Sequence, residues 1–471
     1  MLRKHSILHP LLKKYFHCWA VAATVAPALL LVGTGAWADG DRKKVKSSPE
    51  NSGPVRLLST IPVPVAGTNT TSGMYAFDIS FVDQSNQTYY LADRSNAAVD
   101  VVNAKTGAFV TQITASPAFA GVKLSGTPPV VNNNISGPDG VTTDEIGTCL
   151  FAGDGPSRLL SFKIPSGTQV SDVTTGGTTR VDEMAFDPKD RLLLVVNNAE
   201  TPPFATIYSV SSTCVLSAPK KLVFDTAHGV NATNGAEQPA WDPGTQRFYV
   251  SIPSISGTVP MPGTVGGLAR INPLTATVDG LFSVPFCSPA GLSLNPTNQT
   301  FLMGCGTVFD TALAPWFGAD TNSANPSQVI IDINGVFISV NGIGSSDEVW
   351  YNSGDNHWYT GSQNTPYSPH AVASTAGALS TTDQGAALLG VIDGTTQLLD
   401  QIVPTFDVPG VTPFLGPPPG HPSGSAHSVA ANAANNHVFV PLPANNAVLG
   451  CLTGCIAVYG RDDVDLVGAN D

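Results

Sequence analysis

Residues 137–167 read GPDGVTTDEIGTCLFAGDGPSRLLSFKIPSG. A Pro-Asp-Gly turn opens onto a short strand. A reversal, a second strand, another reversal at Asp154-Gly155 and a third strand follow. Asp139 stands at the mouth of the first strand, where a charged side chain is hard to bury. What it does there depends on whether the stretch is unique.

It is one of a set. YAFDISFVDQSNQTYYLADRSNAAVDVVNAKTGAFVTQI begins at Tyr75, VDEMAFDPKDRLLLVVNNAETPPFATIYSV at Val181, and EQPAWDPGTQRFYVSIP at Glu237. SPAGLSLNPTNQTFLMGCG begins at Ser288, SDEVWYNSGDNHWYTGS at Ser346, and AHSVAANAANNHVFVPLPANN at Ala426. Each copy has a short apolar strand, a turn rich in Asp, Asn, Pro or Gly, and a strand of aromatic and β-branched residues. One such sheet cannot bury both faces alone, whereas copies stacked radially cover one another. A run of independent sandwiches is the alternative, and the shared strand–turn–strand pattern argues against it. The sequence therefore predicts an all-β, seven-bladed β-propeller over 55–461. VRLLSTIPVPV (55–65) precedes the first copy, and the last copy lacks a fourth strand. This N-terminal segment is expected to close the ring as the outer strand of the last blade.

Aligning the copies on Asp83, Asp144, Asp187, Asp242, Asn295, Asn352 and Asn432 places Asp78, Asp139, Asp182, Glu237, Ala290, Asp347 and His427 at the heads of the first strands. Glu183 and Glu348 follow directly. First strands line the channel of a propeller, so these carboxylates are expected to converge on its axis. Like charges so placed raise one another's pKa unless a cation intervenes. Ca²⁺ or another divalent cation fits that requirement, with Asp78, Asp139, Asp182, Glu183, Glu237, Asp347 and Glu348 as candidate ligands. A transition metal is admitted by His427. A water-filled channel with solvated acids is the alternative. The polar second loops, Asp93-Arg94-Ser95-Asn96 and Asn197-Asn198-Ala199-Glu200 among them, are expected at the same mouth, and His370 near it.

Bulk properties agree with a turn-rich β protein: 46 glycines, 38 prolines and 12% charged residues among 471. Residues 1–38 resemble a signal peptide, with Arg3, Lys4, Lys13 and Lys14 before an apolar run that ends Ala36-Trp37-Ala38. An uncleaved anchor is the alternative, against which Pro27 and the glycines shorten the apolar run. Residues 39–54 read as a flexible leader and 462–471 as a tail. Loss of the signal's four positive charges takes the net charge from −13 to −17. Nucleic acid and anionic lipid are thereby disfavoured as partners, and no stable membrane insertion is expected after cleavage. The six cysteines beyond Cys18 suggest disulfides in a secreted or periplasmic protein. Cys451 with Cys455 would close a short loop and Cys287 with Cys305 brackets a strand pair, leaving Cys149 and Cys214. Zinc is the rival use, without a C-x-x-C pair or a histidine cluster to support it.

The stretch YLADRSNAAVDVVNAKTGAFVTQI resembles the YVTN-type propeller repeat. PDGVTTDEIGTCLFAGDGPSRLLSFKIPSG is similar to a blade of the gluconolactonase and senescence-marker family and its NHL-like relatives. The latter resemblance implies one divalent cation at the mouth, held by carboxylate and Asn side chains. Asp139, in its Pro-Asp-Gly motif, would be ligand or base; Asp182 or Glu183 and Asn197 or Asn198 would be companions by position. That family usually has six blades, whereas seven copies are counted here. If chemistry occurs, it is hydrolysis of a lactone or ester, with Asp139 or His427 taking a proton from water. The other reading is a non-enzymatic envelope propeller that binds a small molecule, glycan or protein. No G-x-S-x-G elbow, Walker loop or C-x-x-C-H motif is present.

Overall fold

A computed structural model describes residues 53–127, 129–255, 264–309, 327–366, 385–411 and 420–461. The signal segment, nearly all of the leader, the tail and His370 lie outside the described residues. Seven four-stranded antiparallel sheets form the blades of a β-propeller. Their first strands are Ser80–Asp83, Val141–Thr143, Met184–Asp187, Pro239–Asp242, Cys287–Asn295, Ser346–Asn352 and Ala430–Asn432. Six blades use consecutive strands. The seventh is completed by Arg56–Pro62, which pairs antiparallel with Cys455–Gly460. The expected closure is therefore present, and it covers what would otherwise be an exposed edge.

The polar residue ending each first strand recurs because it caps the turn that follows. Asp83 Oδ1 accepts from the Ser85 N–H at 2.9 Å, Asp187 Oδ1 from Lys189 at 2.9 Å, and Asp242 Oδ1 from Gly244 at 2.8 Å. Asn295, Asn352 and Asn432 do the same for Thr297, Gly354 and Ala434. A short acceptor two residues before the donor is the Asx-turn arrangement.

Packing between blades supplies the core. Val82, Tyr89 and Leu91 of blade one bury against Ile61, Phe439 and Ile456 of blade seven. Leu194, Val196 and Ile207 of blade three meet Phe248, Val250 and Ile271 of blade four. Burial of each such side chain contributes roughly 1.5–3 kcal/mol. Trp358 is wholly buried, while Trp241 and Trp350 are partly buried against Phe248 and Phe81. The His357 side chain is only 14% exposed, beside Asp355 and Arg461.

The disulfides are Cys149–Cys214, Cys287–Cys305 and Cys451–Cys455, and they fit folding in an oxidising compartment. The first ties blade two to blade three across 65 residues. Replacing both cysteines with serine is expected to cost about 2–4 kcal/mol, read as a lower denaturant midpoint. Among the described residues no helix is long and apolar enough to cross a membrane.

Candidate functional site

The strand heads occupy equivalent positions. The backbone N–H groups of Asp78, Asp139, Asp182 and Glu237 donate to the carbonyls of Ala92, Gly153, Val196 and Ser251, each at 2.9 Å. In blades one to four the acid therefore extends the first strand by the same pairing with the second. Blades stand close here. A Cβ on Gly140, which completes the Pro-Asp-Gly motif, would collide with the Asp182 carbonyl oxygen. The motif thus combines a side chain for the mouth with a residue small enough to admit the next blade.

Two arginines enter the acidic ring. Arg94, from the second loop of blade one, is 3% exposed and bridges Asp78 and Asp139, with Nε 2.8 Å from Asp139 Oδ1. Arg180 pairs with Asp182 at 2.8 Å, and its charge is also felt by Asp78, Asp139 and Glu237. His427 stacks on Phe77 with ring centroids 5.0 Å apart. Its Nδ1 lies 2.8 Å from the Ser425 carbonyl oxygen and its Nε2 3.6 Å from Asp78 Oδ1. The strand-head carboxylates Asp78, Asp139 and Asp182 of blades one, two and three thus have cationic partners.

Glu237, Asp347 and Glu348 have neutral hydrogen-bond partners. Glu237 Oε2 accepts from Asn198 at 3.1 Å, Asp347 from the Gln363 amide, and Glu348 Oε2 from the Ser428 hydroxyl at 2.9 Å. Blade five contributes only Ala290 at this level. Four buried acceptor oxygens around the mouth have no hydrogen-bond partner: Asp139 Oδ2, Asn197 Oδ1, Asn198 Oδ1 and Glu348 Oε1.

Electrostatics follow this division. Burial works to raise the Asp78 pKa, but Arg94 and His427 overcome it and bring the carboxyl to about 2. Burial raises Asp182 to about 6 despite Arg180, and burial with Asp182 nearby raises Glu237 to about 8. Glu183 and Glu348 are pushed well above the carboxylate range by burial and by neighbouring acids. Burial likewise raises Asp347 and Asp139. His427 is raised, the pull of Asp78 and Asp347 outweighing its burial.

The sequence singled out Asp78, Asp139, Asp182, Glu183, Glu237, Asp347, Glu348 and His427, and all of them face this one electrostatic neighbourhood. Their counterions were missed: Arg94 was visible only as part of a polar loop, and Arg180 was not singled out. Both stand within sixteen residues of an acid they neutralise, yet no local pattern marks that pairing. Among the described residues no group of three or more His, Cys, Asp or Glu side chains is arranged to hold a metal ion as it stands. No family model matches the chain, and no curated protein matches it.

Proposed function

We propose that the chain is an exported, ligand-binding propeller whose axial mouth takes up a cation in the sector framed by Glu183, Glu237, Asp347 and Glu348. One observation carries this reading: the arginines are paired with Asp78, Asp139 and Asp182, while Glu237, Asp347 and Glu348 have neutral hydrogen-bond partners and Glu183 forms no ion pair among the described residues. The ion is Ca²⁺ or another divalent cation, for which oxygen donors such as the unpartnered Glu348 Oε1 are suited. Because the acids do not close on one point, part of the ion's water shell is retained on binding. Asp78 and Asp139, occupied by Arg94, serve the site by fixing its cationic side rather than as ligands.

Hydrolysis of a lactone or ester is the second reading, favoured by His427. With Nδ1 on the Ser425 carbonyl, its Nε2 is directed to Asp78, which stabilises the imidazolium once a proton is taken from water. A bound cation would polarise the scissile carbonyl. Asp139, with its unpartnered Oδ2, is the companion proton carrier.

Metal analysis and Ca²⁺ titration of the purified chain after chelation test the first reading. About one ion per chain is expected, and Glu183→Gln with Glu348→Gln is expected to weaken binding about tenfold or more. A stoichiometry near zero, with thermal stability unmoved by Ca²⁺, discards it. Lactone and aryl-ester turnover that persists in Asp139→Ala/His427→Ala would discard the assignment of these two residues.

A further inference from the structure

Between blades seven and one, beside the axial mouth, lies a recess of about 260 Å³ lined by Tyr75, Phe406, Asp407, His421, Asn446 and Leu452 among others. We propose that it is a saccharide site which receives a single pyranose ring, free or at the end of a glycan. It is distinct from the cation sector and independent of it.

The walls are fixed by backbone bonds. Asp407 and Val408 pair with Ser425 and Gly424, and the Val411 N–H donates to the His421 carbonyl at 2.9 Å. Opposite them, the Ala444 N–H donates to Met74 at 2.7 Å, and the Met74 N–H donates to Thr453 at 2.8 Å. The Cys451–Cys455 disulfide holds the loop that carries Leu452. Such a recess needs little ordering when a ligand arrives.

Its chemistry matches a sugar. Tyr75 and His421 are stacked with centroids 3.8 Å apart and planes 3° apart, giving a flat aromatic wall, and Phe406 and Leu452 add apolar surface. The C–H face of a pyranose packs on such surfaces while its hydroxyls need donors and acceptors at the edge. Those are at hand: the Tyr75 hydroxyl and the Asn446 amide have no partner among the described residues, and the Asp407 carboxylate, whose Oδ2 accepts from the Ala387 N–H at 3.1 Å, lines the same wall. His421 Nδ1 is engaged by the Pro422 carbonyl at 3.0 Å, which leaves Nε2 as an acceptor. The volume lies below the range of about 300–1,000 Å³ for drug-sized ligands and suits one ring. Asp407 and the acidic chain select against phosphorylated or uronic sugars.

Saturation-transfer NMR and calorimetry on the purified chain, with the methyl glycosides of glucose, galactose, mannose and N-acetylglucosamine, test the proposal. At least one is expected to bind saturably, with Kd on the order of 1 mM. Tyr75→Ala is expected to weaken it about tenfold and Asn446→Ala about threefold. Should Tyr75→Ala fail to fold, Leu452→Asp, at a rim position 74% exposed, serves in its place. Chelation and Glu348→Gln are expected to leave sugar binding unchanged, so failure of the cation reading stays distinguishable. An oligosaccharide that ends in the preferred residue and binds more tightly than its glycoside would assign the site to a glycan terminus, and equal affinity to the free sugar. No saturable binding below about 50 mM overturns the proposal. Binding unaffected by both variants, or binding of adenosine in preference to every sugar, also overturns it.

Discussion

Replacing Arg94 with methionine is expected to cost about 3–5 kcal/mol of folding stability. The guanidinium is buried between Asp78 and Asp139, themselves 7% and 0% exposed. Methionine fills much of the same volume, so the loss is chiefly electrostatic: two buried carboxyl groups lose their shared cation and five neighbouring acids remain. Asp78 is the more affected, since Arg94 is the largest influence holding its pKa down. The loss is expected to shrink when Asp78→Asn is added, because an amide carries no charge to neutralise. Chemical denaturation of the two single variants and the double variant gives the coupling directly. If the two changes simply add, Arg94 is a packing residue and the charge argument fails.

That pairing also marks the limit of what the sequence reveals. The blades were legible because each repeats a local device: an acceptor such as Asp187 or Asn295 caps its own turn two residues on. The axial acids were legible for a related reason. Once blades are in register, Asp78, Asp139, Asp182 and Glu237 hold one pairing position and therefore one level of the channel. Closure by 55–65 followed from counting strands. The countercharge obeys no such rule. Arg94 lies in blade one and reaches Asp139 in blade two, 45 residues away, and its direction is set by how neighbouring blades dock. An acidic chain invites an external cation as the balancing charge. Here part of that balance comes from the chain itself, leaving Glu183 and the acids of blades four and six as the open side.

Stability is expected to fall as pH rises from about 5 to about 8.5, by about 5–10 °C in Tm. Burial holds Asp93, Asp154 and Asp182 at about 6, and Glu237 at about 8, against ordinary values of 3.8 and 4.5. A carboxyl whose pKa is raised by folding stabilises the fold fully below its unfolded pKa. That contribution is lost as pH climbs through the folded value, here between about 4 and about 8. His427 adds to the same trend, because its raised pKa gives stability that disappears as the ring deprotonates. Asp78 acts oppositely: held at about 2, it stabilises above 3.8 and loses that contribution only in stronger acid. The maximum is therefore expected near pH 4–5, by about the same reasoning. Ca²⁺ at about 100 times its Kd is expected to restore roughly 2.7 kcal/mol, and to do so mainly on the alkaline side, where the open acids are ionised. Glu237→Gln with Asp182→Asn removes two of the responsible protons and is expected to flatten the profile. A Tm that holds steady or rises from pH 5 to 8.5 without added cation would mean that these acids are ionised in the native fold and are balanced by the chain's own arginines. The open sector would then offer an external cation no electrostatic gain.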